Sequence, residues 1–170
     1  RDNTEMNWPK PRPEILSMEP YQAPLEGRRS FLRLDFNENT MGPSPKVIEA
    51  INRIPDSHIA IYPEYEGIKE ALINNLNQKN KSISISSNQI GLFNGVDSAI
   101  NAIFHSYGEK NKILLTTNPT FGYYSPCANM RGMKILAISY LDNDYKFPLE
   151  KIKISMQKEN PKILLICNPN

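Results

Sequence analysis

Between Leu92 and Tyr124 the sequence runs LFNGVDSAINAIFHSYG, then KNKILLTT, then NPTFGYY, and this succession leaves little choice of architecture. Val96, Ala99, Ile100, Ile103, Phe104 and Tyr107 recur at three- and four-residue spacing, the mark of a helix with one apolar stripe. Gly108 supplies its stop. The flanking apolar runs, Ile90–Asn94 and Lys112–Thr117, are too short for helices and do not alternate, as strands covered on both faces do not. Gly95 permits a sharp turn where the first run meets the helix. A helix start leaves backbone N–H groups without internal partners and carries the positive end of the dipole, so the turn suits an anion. Phe121 follows the second run, where its ring offers a stacking face. A phosphorylated aromatic ligand satisfies both features.

The same rhythm continues downstream. A helix is predicted over 122–131, a strand over Met133–Tyr140, a helix from Pro148 with Leu149, Ile152 and Met156 inward, and a last strand over Lys162–Cys167. Strands alternating with helices imply βαβ units and a mostly parallel sheet with helices on both faces, an α/β fold. Upstream the pattern differs. Residues 1–30 are polar and proline-rich and read as an extended arm anchored by Trp8 and Tyr21. Residues 31–82 hold a short strand candidate, Leu32–Phe36, and two helices. The first starts at Ser44-Pro45 and carries Val47, Ile48, Ile51 and Ile54; the second carries Tyr65, Ile68, Leu72 and Leu76. Tyr62, before Pro63, is biased toward extended backbone. Residues 83–170 form the α/β part.

A formal charge of +2 over 170 residues gives no footprint for nucleic acid or an anionic membrane. No apolar run has the length of a membrane span, and the chain reads as cytoplasmic. Cys127 and Cys167 form no metal or disulfide pattern and read as small buried hydrophobes. His58 and His105 have no nucleophile or carboxylate at a telling spacing. The phosphate candidate is the turn Gly95, Val96, Asp97 and Ser98: three amides, a possible Ser98 hydroxyl donor, and an Asp97 carboxylate suited to the dipole. An ordinary helix start has the same look, and the turn is neither G-x-G-x-x-G nor a Walker A loop. Asn37, Glu38 and Asn39 either organise a turn or face a ligand.

Six motifs in order, EPYQAP, LDFNENTMGPSP, IYPEYEG, LFNGVDSAI, NPTFGYY and CNPN, resemble the pyridoxal-phosphate-dependent class I/II aminotransferases of fold type I, most closely the histidinol-phosphate aminotransferases. They span Tyr21 to Asn170, and the chain is similar to the N-terminal part of that fold's large domain, incomplete, with residues 31–82 contributing to a small domain and dimer interface. The resemblance implies that Gly95–Ser98 hold the phosphate of pyridoxal 5′-phosphate and that Phe121 stacks on its ring. Tyr62 would reach the phosphate in a neighbouring subunit of a homodimer, and Tyr21, Asn37 and Glu38 would line the substrate pocket. The asparagine that contacts the ring hydroxyl would follow Asn170 directly. Ser98 stands where many relatives carry Glu, and Thr40 where Pro is usual. The Schiff-base lysine, the aspartate at the pyridine nitrogen and the substrate arginine fall downstream in relatives, so this 170-residue chain by itself is expected to transaminate nothing and to be poorly soluble or partly unfolded. The complete protein is expected to exchange an amino group between a small-molecule donor and a keto acceptor: histidinol phosphate and imidazole acetol phosphate with glutamate and 2-oxoglutarate, in histidine biosynthesis. Aromatic amino acid transamination, threonine-phosphate decarboxylation and a non-catalytic module gripping a phosphorylated ligand are the alternatives.

Overall fold

The computed structural model of the chain describes residues 9–19, 26–80, 82, 84–141 and 144–170. It divides into two units, residues 22–92 and residues 1–21 with 93–170.

The first described helix, α1 (Pro13–Leu16), is a single turn with proline at its start. The arm is therefore not extended throughout, because tertiary contacts fold it locally. Arg12 Nη2 donates to the Met130 carbonyl at 2.8 Å, and the Lys110 ammonium donates to Glu14 Oε1. The Lys110 hydrogen bond, first among several causes, holds the Glu14 carboxyl below its usual range. A folded value below the unfolded one stabilises the docked turn above the ordinary carboxylate range and loses that contribution as pH falls through the depressed value. Hydrogen exchange of residues 9–19 is accordingly expected to accelerate on acidification in the native sequence and to lose that step in Glu14→Gln. An identical pH response in both proteins would contradict the assignment.

In the unit 22–92 a 3₁₀ turn at Arg28–Ser30 precedes α2 (Pro45–Asn52), α3 (Asp56–Ile59) and α4 (Glu66–Lys79). Pro45 occupies the first helical position of α2, as its sequence predicts. Asn77 clamps the chain after α4, accepting from Ile85 N–H at 3.0 Å and donating to Ile85 O at 3.3 Å. The predicted strands Leu32–Phe36 and Ile90–Asn94 are not strands here, since neither pairs with another strand among the described residues and an unpaired extended segment is no sheet. No described residue of this unit is buried. Val47, Ile48 and Ile51 form the expected stripe on α2, which ends before Ile54, yet all four residues are exposed.

The other unit continues with α5 (Gly95–Tyr107), β1 (Ile113–Asn118), α6 (Tyr124–Met130), β2 (Lys134–Ser139), α7 (Leu149–Glu159) and β3 (Ile163–Leu164). The three strands are parallel in the order β2-β1-β3, with Leu114 opposite both Ile135 and Ile163. The last strand is shorter than its apolar run, although Leu165 N–H still donates to Leu115 O at 3.0 Å. Central β1 is buried from Leu114 to Thr117, which explains its unalternating sequence. Ile100 and Phe104 of α5 meet Leu114, Tyr124, Cys127, Ala128, Met133 and Ile163 in one core. Cys127 and Cys167 are both free thiols, the first buried and the second half-buried.

The hydroxyls of Thr116 and Thr117 are buried without a hydrogen-bond partner among the described residues. An unsatisfied buried hydroxyl is unfavourable, and Thr117→Val removes it at nearly constant shape, so urea unfolding of that variant is expected to show a gain of about 1 kcal/mol. A loss of similar size would mean the hydroxyl bonds to something.

Candidate functional site

The C-terminal ends of parallel strands are where α/β sheets place ligands. At that edge β1 leads through Pro119 to Phe121, and β2 leads to Tyr140. The chain enters α5 through Gly95 at φ +79°, with Gly95 N–H donating to Phe93 O at 3.0 Å. A Cβ at position 95 would meet nothing within 4 Å, so glycine is required by the dihedral and not by crowding. No side chain caps the start of α5, which leaves the first-turn amides of Val96 and Asp97 directed at whatever lies beyond the helix end. Ser98 Oγ donates to Asn94 O at 2.8 Å, so its proton is already engaged within the turn.

Phe121 is half-buried and braced. Its ring meets Tyr124 edge-on at 5.5 Å and 83°, and Tyr123 at 6.4 Å and 58°. Tyr124 belongs to the buried core, so the Phe121 ring is mounted on that core. Burial, then contact with Cys127, pushes the Tyr123 hydroxyl up, and the nearby Asp97 carboxylate adds to the effect. The Cys127 thiol is likewise raised by burial and by Asp97, against a lowering hydrogen bond from Tyr123. The Asp97 carboxylate acts electrostatically on both Tyr123 and Cys127, and the Tyr123 ring centre lies 6.4 Å from that of Phe121. Helix α5 packs on α6, the helix that follows the aromatic loop. Asn170 Nδ2 closes this edge by donating to Pro119 O at 2.9 Å and to the Tyr140 hydroxyl at 3.0 Å. A cleft of about 480 Å³ is lined by Pro119, Tyr140, Tyr145 and Asn170.

Gly95, Val96, Asp97, Ser98 and Phe121 thus belong to one unit. Asn37, Glu38 and Tyr62 belong to the unit 22–92, where Tyr62 is almost fully exposed. Tyr21, like Trp8, lies outside the described residues. Asn39 organises its own turn, accepting from Met41 N–H at 3.1 Å and donating to Gly42 O at 2.8 Å. The Glu38 carboxylate is bound by Arg28 and Arg33. Sequence reasoning did not single out Arg28, because partners seven and ten residues away follow no helical or strand period. The bracing roles of Tyr123 and Tyr124 were signalled only by the aromatic run FGYY. His58 and His105 are exposed, and the described residues contain no cluster of three His, Cys, Asp or Glu fit for a metal ion.

Residues 29–170 match the family model of aminotransferase class I and II. The chain belongs to this family. Its members depend on pyridoxal phosphate. Among curated aminotransferases, the histidinol-phosphate aminotransferase of Clostridium novyi is 29% identical over 162 residues, covering 94% of this chain and 43% of that protein. A dihydroxyacetone phosphate transaminase of Campylobacter jejuni is 27% identical, over 89% of this chain and 40% of its own length. The chain thus spans about two fifths of these relatives. In fold, it is similar to the crystal structure of histidinol-phosphate aminotransferase from Sinorhizobium meliloti in complex with pyridoxal 5′-phosphate. That match has a TM-score of 0.72 at 20% identity and covers 94% of this chain and 42% of that one. No described helix of this family member is long and apolar enough to cross a membrane.

Proposed function

We propose that this chain provides the phosphate cradle, one stacking face and part of the substrate wall of a pyridoxal-phosphate-dependent aminotransferase that uses histidinol phosphate as amino donor and 2-oxoglutarate as acceptor, in the cytoplasm. The observation that carries the reading is that the uncapped α5 start, entered through Gly95, and the Phe121 ring packed on the core belong to one unit and are joined through the core that α5 and α6 share. The residues fit the group. The amides of Val96 and Asp97 and the helix dipole suit a phosphate, Gly95 keeps the turn open to it, and Phe121 suits the flat heterocycle. Ser98 would add a donor after rotating its hydroxyl away from Asn94. The cofactor, when bound, supplies the electron sink for chemistry at the substrate α-carbon and carries the amino group between half-reactions. This chain's part is to hold and orient it and to shield one face from water.

Tyr21, Asn37 and Glu38 are assigned to the substrate side, and Tyr62 to the cofactor phosphate of a second copy in a homodimer. The exposed tyrosine and the unit 22–92 without a buried residue support a partner there. The substrate follows the names of the Clostridium relative and the Sinorhizobium structure. The test is steady-state kinetics on the product of the complete open reading frame with histidinol phosphate, phenylalanine and threonine phosphate. Histidinol phosphate is expected to lead phenylalanine in kcat/KM by about a hundredfold or more, since a site built for a phosphate rejects a substrate lacking it, and to be transaminated where threonine phosphate is not decarboxylated. Preference for phenylalanine, or release of carbon dioxide from threonine phosphate, would overturn the substrate assignment.

A further inference from the structure

The guanidinium of Arg28 is the centre of a cluster that neither fold nor cofactor requires. Nε and Nη2 bind the two oxygens of Asp35, with Nε to Oδ2 at 3.2 Å, while Nη1 and Nη2 lie 3.1 and 3.4 Å from the two oxygens of Glu38. Every nitrogen of the fork is therefore occupied, and the charge also sits 4.2 Å from the centre of the Phe36 ring. Three of the four residues from Asp35 to Glu38 are thus gathered on one side chain. The fourth is Asn37, whose φ of +53° places it in the left-handed region and whose side-chain amide has no partner among the described residues. Asparagine enters that region more readily than other non-glycine residues, which suits it to the tip of a tight turn.

Glu38 has a second cation. Its Oε2 lies 2.9 Å from Arg33 Nε, an ion pair without the alignment of a hydrogen bond. A carboxylate held by two guanidinium groups is a poor candidate for a substrate cation, because binding one would require giving up another.

We propose that Arg28 is a positioning residue that folds the Asp35–Glu38 turn around its guanidinium so that, within this turn, Asn37 and not Glu38 is presented to the substrate, with Glu38 withdrawn from the wall assigned above to serve as an internal counter-ion. This refines the substrate wall assigned above and rests on that reading for its catalytic consequence. Lysine cannot replace the fork, since one ammonium cannot make two parallel pairs to each carboxylate.

Two measurements on the product of the complete open reading frame test it. In Arg28→Lys, KM for the amino donor is expected to rise about tenfold or more, with kcat and the absorbance titration of pyridoxal phosphate within about twofold of the parent, because a displaced turn weakens substrate placement and leaves the cofactor alone. Glu38→Gln is expected to act in the same direction, and the double variant to be no worse than Arg28→Lys alone, since both changes loosen one clamp. The second measurement is independent of activity: hydrogen exchange of residues 35–39 is expected to accelerate in Arg28→Lys while exchange in α4 does not change. Unchanged exchange at 35–39 would overturn the proposal whatever the enzyme does, as would additive losses in the double variant, which would mark Glu38 as a direct substrate contact. Failure of the parent to bind pyridoxal phosphate would instead refute the proposed function and leave the exchange result to judge the clamp.

Discussion

Valine at position 95 is expected to weaken pyridoxal phosphate binding by about tenfold, asparagine by much less, and alanine by an intermediate factor. The backbone at Gly95 sits at φ +79°, where an L-residue costs about 1–2 kcal/mol, and more with a branched Cβ. Asparagine tolerates the left-handed region better than other side chains. Nothing lies within 4 Å of a Cβ built at this position, so the variants differ in dihedral strain and not in collision. That strain is relieved by turning the peptide entering α5, and the turn re-aims the very amides assigned to the phosphate. Apo-protein titrated with pyridoxal phosphate, followed by absorbance, reads the series directly. Equal affinity for valine and glycine would mean that the entry to α5 is not the cradle.

The second large effect is on stability. Phe104 is 1% exposed and stands with Ile100 on the inner face of α5, against Leu114 of the central strand and the α6 residues Tyr124, Cys127 and Ala128. Phe104→Ala is expected to cost about 3–5 kcal/mol in urea unfolding, combining lost burial with a cavity that a close-packed strand and helix cannot collapse to fill. Ile103, one position away on the same helix, is 39% exposed, and Ile103→Ala is expected to cost under about 1 kcal/mol. The contrast matters for function because α5 carries the candidate phosphate amides at its other end, so loosening Phe104 loosens the cradle. A cost for Phe104→Ala no greater than that for Ile103→Ala would contradict this packing.

Much of the unit that holds these residues was legible in the sequence, because local pattern and tertiary packing agree there. The apolar spacing from Val96 to Tyr107 marks α5, and the runs ILL and ILLI mark strands that lie between helices. Periodicity names a face, however, and does not say how much of it is covered: Ile100 and Phe104 are buried, whereas Val96 and Tyr107 from the same stripe are mostly exposed. The same limit applies on α2, where an evident stripe is present and uncovered. Leu32–Phe36 failed as a strand because extended structure depends on a partner that local sequence cannot supply. In the candidate site, glycine chemistry and the aromatic loop pointed to Gly95 and Phe121. The electrostatic influence of Asp97 on Tyr123 and the Arg28 clamp join residues with no periodic relation, and only three-dimensional structure reveals them.

The most direct test of the central claim is a nitrogen-15 NMR titration of the apo-protein with pyridoxamine 5′-phosphate, whose amine cannot condense with surface lysines. Shifts are expected at the amides of Val96 and Asp97, together with ring-current shifts at Phe121, and all should saturate with one common affinity. Saturable binding that moves other residues and leaves those amides and that ring unchanged would contradict the account.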